Sequence, residues 1–386
     1  MRITLIGSAY PLRGGNALFL GHLYEALSRS NTVEVISFSR LYPGFLFPGV
    51  RQNDISNVAM KKHPARHIID CLNPLTWYRA AALAAAQQPD LLIFVWWNPF
   101  FGPLTRTILT SFKNKSKAPV VIIAENVISH EGRWIDLFLT KMALKMADYF
   151  VVLSAVVEKN IKTLYPGIKT FKSSLPIYDC YNVGETLGME DAKKRLNIDG
   201  KKVILFFGYV RKYKGLMDLL ESFALVCAKI TYAHLFIVGE YYDDRQTYEE
   251  AIDRLKIRNK VTVVAEYVAN EDVHYYYRAA NVVVLPYREA TQSGILSIAF
   301  GFSKPVIVTD VGGLAELVEN GKTGYVVPSQ NVQALADTLI KYFEQDKEKE
   351  FIPNVERKSH QNDFNNISRI FDEIHTDADS INRKNT

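Results

Sequence analysis

Cysteine is scarce in this sequence, which excludes a disulfide-stabilised scaffold. The 386 residues contain three cysteines, Cys71, Cys180 and Cys227, far apart and odd in number. They follow neither a disulfide framework nor the spacing of a metal site, so we expect a reducing compartment.

Long hydrophobic runs are also missing. The most apolar run, Leu91 to Trp97, is far below the roughly 20 residues that a membrane-spanning helix needs. Residues 1–6, MRITLI, are typical of a first strand, because no long apolar core or cleavage site of a signal peptide follows. We therefore expect a cytoplasmic protein.

A strong charge of either sign is absent as well. The net charge is +5, and the Lys and Arg residues are spread without a dense basic run or interleaved aromatic residues. This pattern does not favour nucleic acid and suits anionic ligands or an anionic membrane surface. With 48% hydrophobic residues the chain is globular, and its length predicts two domains.

The N-terminal half opens like a parallel α/β protein. A strand at Met1 to Ile6, a loop at Gly7 to Gly15, a helix at Ala17 to Ser28 and a strand at Val33 to Phe38 follow one another. The dinucleotide fingerprint G-x-G-x-x-G is absent. Gly14 and Gly15 would instead let the backbone approach a ligand closely.

Three later stretches of this half matter for function. Leu41 to His67 is predicted to be an irregular loop over the carboxyl edge of the sheet, and Trp96-Trp97 lies at a strand exit. Core packing is the favoured interpretation of these tryptophans, with sugar stacking as the alternative. Glu125 to Glu131 lies between a strand and an amphipathic helix, Trp134 to Ala147.

A second α/β series follows a loop-like stretch from Tyr165 to Gly200, in which a helix is expected at Met189 to Leu196. Its strands begin at Lys202 to Phe207. The tail is charged from Glu344 to Arg357 and ends in a helix near Phe364 to His375. We place the domain boundary in the loop-like stretch.

The region from Leu285 to Leu317 predicts an anion site. A strand ends at Pro286, a polar loop follows, and an apolar helix covers Ile295 to Phe302. Free backbone N–H groups and the helix dipole meet at the helix start, where Thr291, Ser293 and Gly294 lie. On this stretch alone, simple capping of the helix by Thr291 and Ser293 is the favoured alternative.

The loop from Gly208 to Gly215 carries three cations, Arg211, Lys212 and Lys214, before a helix. Cations at a helix start oppose the dipole, so local helix stability does not explain them. A phosphate ligand does, since Arg can bind it bidentately and Lys acts as a point charge. The alternative is a solvated loop.

Taken together and in this order, these motifs resemble the donor-binding domain of family 4 retaining glycosyltransferases. The resemblance is strongest from about 200 to 330, and Gly14-Gly15 and Asn126…His130-Glu131 extend it to the N-terminal half. The motifs are Gly208…Lys214-Gly215, Val238-Gly239-Glu240, Tyr277…Ala279-Ala280-Asn281, Pro286…Gly294, Pro305…Asp310-Val-Gly312-Gly313-Leu-Ala-Glu316 and Asn320…Gly324.

The resemblance implies an α/β, GT-B fold: two Rossmann-like, doubly wound domains that face each other across a cleft. The expected domains are an acceptor domain at 1–180, a linker at 181–200, a donor domain at 201–345 and a helical tail at 346–386, which could pack back on the N-terminal domain. The donor is a nucleotide-diphosphate sugar acting as co-substrate, with no cofactor and no metal.

Residue roles carry over position by position. Lys214, with Arg211 as its guanidinium partner, would bind the diphosphate, although the family's Arg usually follows the glycine directly, where this chain has Tyr209. Gly14 and Gly15 would approach the donor. The remaining donor-binding candidates are Glu289, Thr291, Gln292, Ser293 and Gly294.

The sequence departs from the family pattern in two places. The family's second loop Glu is missing, because Ser297 stands eight positions after Glu289, and a gap-free match puts Ala290 at the first position. The loop resembles the family's Thr-Gln-Ser-Gly variant. The family's N-terminal His is replaced by Glu125, so Glu125 or His130 would orient the acceptor hydroxyl; a satisfied pair in a helical turn is the alternative for His130-Glu131.

We therefore predict a retaining, metal-independent hexosyltransferase. The resemblance implies a saccharide or lipid-linked acceptor and a role in cell-surface polysaccharide or lipid-linked oligosaccharide synthesis. The alternatives are a nucleotide-sugar epimerase or a phosphorylase on the same fold, and a non-catalytic donor-binding subunit. Peripheral contact with the inner membrane, through the aromatic loop Tyr42 to Phe47, is a further hypothesis, although no clean basic amphipathic helix is apparent.

Overall fold

The computed structural model describes residues 1–47, 49, 51–127, 134–182 and 187–384, which form two compact α/β units. Unit 1 comprises Met1–Asp54, Ala59–Ser174 and Asp363–Thr386, and unit 2 comprises Ile55–Val58 and Leu175–Asn362. The backbone therefore passes from one unit to the other four times. Elements are numbered along the whole chain.

Unit 1 contains a parallel sheet of seven strands in the order β3-β2-β1-β4-β5-β6-β7. The central strands are apolar along their whole length because helices cover both faces of such a sheet. The strands are β1 (Arg2–Ile6), β2 (Thr32–Arg40), β3 (Arg66–Asp70), β4 (Leu91–Trp96), β5 (Val120–Ala124), β6 (Tyr149–Val152) and β7 (Lys169–Lys172).

Six described helices belong to unit 1. One of them, α14, comes from the far end of the chain and packs on α1, where the His22 ring stacks on Phe364 with 4.7 Å between the ring centroids. The helices are α1 (Gly15–Ser28), α2 (Pro74–Ala86), α3 (Gly102–Lys113), α4 (Trp134–Leu144), α5 (Ala155–Leu164) and α14 (Phe364–Lys384).

Unit 2 contains a parallel sheet of six strands in the order β10-β9-β8-β11-β12-β13. The strands are β8 (Lys202–Phe207), β9 (Ala233–Val238), β10 (Val261–Val264), β11 (Val282–Leu285), β12 (Val306–Thr309) and β13 (Gly324–Val327). The helices are α6 (Met189–Arg195), α7 (Leu216–Lys229), α8 (Arg245–Arg254), α9 (Val273–Ala279), α10 (Gly294–Gly301), α11 (Leu314–Leu317), α12 (Val332–Glu344) and α13 (Lys347–Gln361).

The stretch from Tyr165 to Gly200 confirms one prediction and departs from another. The helix expected at Met189 to Leu196 is present as α6, whereas the edge strand β7 lies where the sequence predicted only loop. The charged tail after Glu344 forms α13, a helix whose Phe351 and Val355 are fully buried. This helix lies within the helical tail expected at 346–386, and it continues through an internal proline, Pro353.

Of the helices in the described residues, none combines the length and the apolar character that crossing a membrane requires.

Candidate active site

The loops at the carboxyl edge of the unit 2 sheet touch one another through glycine backbone. A Cβ on Gly215 would lie 1.9 Å from the Pro286 carbonyl oxygen, and one on Gly312 would lie 1.5 Å from the Ala290 carbonyl oxygen. Both glycines also have positive φ, 68° and 52°, which side chains disfavour. The loops after β8, β11 and β12 therefore form one closely packed surface, at the sheet edge where α/β proteins bind ligands.

Lys214 lies on this surface with its ammonium group buried. A Cβ on Gly208 would come within 3.2 Å of Lys214 Nζ, and the Tyr287 ring centroid is 5.4 Å from it. No carboxylate in the described part of the chain forms an ion pair with it. Burial, together with the charge of Arg211, lowers the pKa of Lys214 to about 7.

Arg211 shares the loop and is supported by aromatic rings. Its guanidinium carbon is 4.9 Å from the ring centroid of Tyr242, which stacks on Tyr209 at 4.6 Å. This is a cation–π arrangement, and it leaves the N–H donors at the guanidinium edge able to bind an anion. The structure thus brings the two predicted cations together.

A third cation nearby has a structural role. Arg288 donates hydrogen bonds to both carboxylate oxygens of Asp218, at 2.9 and 2.6 Å, and its backbone N–H donates to the Tyr213 carbonyl oxygen at 2.6 Å. These bonds fix the loop after β11 to the loop after β8. Because Asp218 neutralises Arg288, Lys214 and Arg211 are the cations on this surface, apart from the exposed Lys212, that no carboxylate of the described residues pairs with.

The capping interpretation is wrong for Ser293. It precedes α10, yet its hydroxyl makes no capping bond and lies 3.4 Å from the Tyr287 hydroxyl instead. Within the described residues, the backbone N–H groups of Gly294 and Ile295 meet no acceptor. The start of α10 therefore presents free donors, as an anion site requires.

The other predicted residues of this loop differ in their surroundings. The Gln292 side-chain oxygen is buried and lacks a hydrogen-bond partner among the described residues. The Thr291 carbonyl oxygen accepts from the Gly313 N–H at 3.2 Å. Glu289 is exposed, whereas its neighbour Ala290 is buried.

In unit 1, Glu125 is a buried carboxyl group at the end of β5. The side-chain amide of Asn16 lies beside it, oriented so that its nitrogen donates to Glu125 Oε2 at 3.0 Å and its oxygen accepts from Trp97 Nε1 at 3.1 Å. Desolvation raises the pKa of Glu125 to about 8. Burial therefore favours the protonated, neutral form of Glu125.

Two neighbours complete this group. The Asn126 side-chain oxygen is buried and has no partner among the described residues. Trp96 is fully buried and Trp97 half-buried, in agreement with the packing interpretation. The sequence did not single out Asn16, although its place directly after Gly14-Gly15 was a usable signal.

Gly14 and Gly15 border open space. A Cβ on either residue would have no atom within 4 Å. Gly14 has a φ of 110°, a backbone conformation that requires glycine. Neither packing nor backbone conformation requires glycine at position 15. A ligand that approaches the start of α1 closely would explain the glycine there.

His130 and Glu131 lie outside the described residues, so the role of His130 stays a prediction. In the part of the chain that the structure describes, no group of three or more His, Cys, Asp and Glu side chains could hold a metal ion.

The chain resembles solved structures over nearly its full length. It matches sucrose-phosphate synthase from Thermosynechococcus elongatus with a TM-score of 0.73 and 19% identity, over 98% of this chain and 99% of that one. It matches Anabaena HepE, solved in complex with UDP-glucose, with a TM-score of 0.75 and 17% identity, over 98% and 100%. The fold class is GT-B, as predicted.

The sequence comparisons concern mainly unit 2. Residues 189–358 match the family model of the glycosyl transferases group 1. The capsular polysaccharide biosynthesis glycosyltransferase CapM of Staphylococcus aureus is 27% identical over 162 residues, 42% of each chain. The chain spans about half or less of the length of the curated relatives it matches, for example 42%, 44% and 38% of three of them. These matches support the group 1 glycosyltransferase family for the region that contains Lys214 and α10.

Proposed function

We propose that this protein is a retaining hexosyltransferase that moves a sugar from a nucleotide-diphosphate sugar to a hydroxyl acceptor. The observation that carries the proposal is Lys214, a buried ammonium group without a carboxylate partner among the described residues, with Arg211 on the same loop. A buried charge is costly unless a counter-charge arrives. A diphosphate supplies that counter-charge.

The donor would bind in unit 2. Lys214 acts as a point charge on the diphosphate, Arg211 contributes its planar donors, and the free N–H groups at the start of α10 complete the site. Thr291, Gln292 and Ser293 lie next to those N–H groups in sequence and would contact phosphate or sugar. In unit 1, the open space at Gly14 and Gly15 would admit the donor's phosphate or sugar.

The reaction needs stabilisation of the leaving group above all. The bond between the anomeric carbon and the diphosphate oxygen breaks while the acceptor oxygen bonds to that carbon from the same face, which retains the configuration. The acceptor proton passes to the departing diphosphate oxygen. The negative charge on the diphosphate grows during this step, so Lys214 and Arg211 stabilise the transition state more than the bound donor.

The acceptor would bind in unit 1. Glu125, in its protonated form and oriented by Asn16, can donate a hydrogen bond to an acceptor oxygen. His130 is the second candidate for this role. The name of the CapM relative supports an acceptor in surface polysaccharide synthesis, with a lipid-linked oligosaccharide as the other predicted acceptor.

The test uses the purified full chain. A thermal-shift screen with UDP, GDP, ADP and their sugars identifies the donor, because a ligand that binds the native state raises its apparent stability. With that donor, we expect Lys214→Ala and Arg211→Ala each to lower kcat about 100-fold or more. The matched control is Lys212→Ala, an exposed lysine of the same loop, which should retain activity.

Several outcomes would contradict the proposal. Unchanged turnover in the Lys214→Ala/Arg211→Ala double variant excludes the assigned site. A product of inverted configuration excludes retention, and loss of activity in EDTA that added metal restores excludes metal independence. An isomerised sugar formed from donor alone would indicate the epimerase. Donor binding without turnover would indicate the non-catalytic subunit. Neither alternative gains support from the comparisons.

A further inference from the structure

Unit 1 exposes large apolar side chains at the start of α4. Trp134 is 82% exposed and Phe138 is 59% exposed, and Ile135 and Leu137 beside them are exposed as well. Single exposed apolar residues are ordinary, but four within one and a half helical turns form a patch. Such a patch indicates a surface that another molecule covers.

The start of α2 adds to this patch. Leu75 is 77% exposed and Tyr78 is 56% exposed. Helices α2 and α4 both pack on α3, and both follow strand ends at the carboxyl edge of the sheet, after β3 and β5. The two helix starts therefore lie on one side of unit 1, separated by α3.

The exposed face of α4 changes from apolar to basic along its length. Trp134, Phe138 and Lys141 of α4 and Lys145 in the turn directly after it follow one another at intervals of four, three and four residues and are all exposed. The Lys145 N–H donates to the Lys141 carbonyl oxygen at 3.3 Å, so the four side chains continue one helical stripe. Among the described residues neither lysine forms an ion pair. The sequence predicted an amphipathic helix here, but it did not show that the aromatic residues face outward.

The three helices on this side are short of acidic residues. Together α2, α3 and α4 carry four cationic side chains, Arg79, Arg106, Lys113 and Lys141, and one acidic side chain, Asp136. An aromatic and aliphatic patch beside basic residues complements the headgroup region of a negatively charged bilayer. A second copy of this chain fits less well, because its own patch has the same excess of basic side chains and offers Asp136 as the one acidic side chain of these helices.

We propose that the start of α2 and the exposed stripe of α4 bind the surface of an anionic phospholipid bilayer. Trp134 and Phe138 insert at the level of the headgroups, and Lys141 and Lys145 contact lipid phosphates. Phe45, which is 85% exposed in the aromatic loop Tyr42 to Phe47, follows β2 at the same sheet edge and would also reach the bilayer. The sequence-based hypothesis assigned membrane contact to that loop; the structure adds the larger helical surface.

The experiment is flotation of the full chain with phosphatidylcholine vesicles, with and without phosphatidylglycerol. We expect binding that needs phosphatidylglycerol and weakens with salt, because the lysines act through electrostatic attraction. Trp134→Ser/Phe138→Ser should weaken binding at least about tenfold, through lost apolar burial. Lys141→Glu/Lys145→Glu should weaken it by about tenfold or more.

Matched controls lie in unit 2. Leu225→Ser/Tyr232→Ser removes exposed apolar residues, and Lys229→Glu/Lys256→Glu removes exposed lysines; both should leave flotation unchanged. Tryptophan fluorescence gives a second readout, because Trp134 is the exposed member of the four tryptophans. We expect a blue shift on vesicle binding in the wild type, and Trp134→Phe should lose this shift while it still floats.

Three results would overturn the proposal. The first is no flotation with phosphatidylglycerol vesicles. The second is equal loss of binding in the stripe variants and the unit 2 controls. The third is a dimer of the wild-type chain, measured by light scattering, that Trp134→Ser/Phe138→Ser converts to a monomer, which would make the patch a contact between copies.

Discussion

Two buried ionisable residues, Lys214 and Glu125, are the centre of the proposed chemistry, and burial shifts the pKa of each towards its neutral form. Desolvation lowers the pKa of the lysine to about 7 and raises that of the glutamic acid to about 8. Neither shift favours the stability of the unliganded protein. Such costs are typical of binding sites.

The first prediction concerns Lys214→Met, a substitution that removes the charge and keeps the apolar stem. Because the pKa of Lys214 is about 7 in the native state and near 10.5 in the unfolded chain, the unfolded state binds more protons between these values, so stability rises with pH. The free energy of unfolding of the wild type should therefore rise by about 2 kcal/mol between pH 7 and pH 9. We expect the variant to be more stable than the wild type at pH 7 and not to show this rise. Urea unfolding of both proteins measures this.

Lys212→Met is the control, because Lys212 is exposed on the same loop. It should follow the wild-type curve. If Lys214→Met shows the wild-type pH dependence, the ammonium group is not buried as described. The rise in unfolding temperature that the donor causes in the wild type should disappear in Lys214→Met, because the diphosphate loses its main cation.

The second prediction concerns Glu125→Gln. Its native pKa of about 8 exceeds the unfolded value, so the native state binds more protons in between and stability falls as pH rises through this window. The free energy of unfolding of the wild type should fall by about 2 kcal/mol between pH 6 and pH 8. The variant should not show this fall, so it should be the more stable protein at high pH. Equal slopes in wild type and variant would contradict the burial of a titrating carboxyl group.

Activity of the same variant tests the acceptor role. If Glu125 donates a hydrogen bond to the acceptor, wild-type transfer should decline as pH rises above 8, through a higher acceptor KM. Glu125→Gln can still donate and should lose that decline. The control is donor affinity at one pH, which should be equal in wild type and variant because the proposed diphosphate contacts are those of Lys214 and Arg211.

At the residue scale the sequence found part of the candidate site. Lys214 and Arg211 were detectable because cations before a helix oppose its dipole. Asn16 was missed because a single asparagine has many roles. The capping interpretation of Ser293 was wrong, because its hydroxyl faces Tyr287, a contact that only the folded loop brings about.

At the scale of elements, the loops of unit 2 are held by backbone contact, whereas the start of α1 is open. Gly312 and Gly15 represent the two situations. Substitution by alanine therefore separates a structural glycine from one that a ligand requires.

The third prediction compares these two glycines. Gly312→Ala should destabilise the protein by about 2 kcal/mol or more, because its Cβ would clash with the Ala290 carbonyl oxygen and φ is positive. Gly15→Ala should keep or raise stability, since alanine suits a helix start better than glycine. It should lower the rate of transfer by about tenfold or more, because the added methyl group would obstruct the ligand. Thermal unfolding and transfer assays measure both.

Gly200→Ala is the control for backbone conformation alone. Gly200 has a φ of 67° and open space around its Cβ, so its cost should be about 1 kcal/mol. If Gly312→Ala costs no more than Gly200→Ala, the close contact of the two loops is not real. Full activity of Gly15→Ala would contradict the proposal that a ligand binds at the start of α1.

The sequence predicted the elements unevenly. Buried strands such as β4 and β11 were clear because both faces are covered and every residue is apolar. The edge strand β7 (KTFK) was not, since an edge strand is short, partly exposed and polar. Tertiary contacts rather than local propensity decide such elements.

At the scale of the whole molecule, unit 1 depends on α14 for its core. Phe364, Ile367, Phe371 and Ile374 of this helix are buried, and they lie at helical spacing on one face. The helix therefore belongs to the hydrophobic core of a unit whose other residues come from the first half of the chain.

The fourth prediction is that Phe371→Ala destabilises unit 1 by about 3–5 kcal/mol, through lost burial and a cavity. All four tryptophans, Trp77, Trp96, Trp97 and Trp134, belong to unit 1, so urea unfolding followed by tryptophan fluorescence measures this unit. Ile381→Ala, a change at an exposed position of the same helix, should cost less than about 0.5 kcal/mol. Equal costs would show that α14 is not part of the core.

The interleaved order of the two units has a consequence for biosynthesis. While a ribosome makes residues 175–362, the seven strands of unit 1 already exist, but the helix that shields α1 has not yet been translated. A nascent chain stalled in that interval leaves the apolar flank of α1 in contact with water, where chaperones or other nascent chains can capture it. A premature stop codon after residue 362 would thus damage the amino-terminal part of the molecule first.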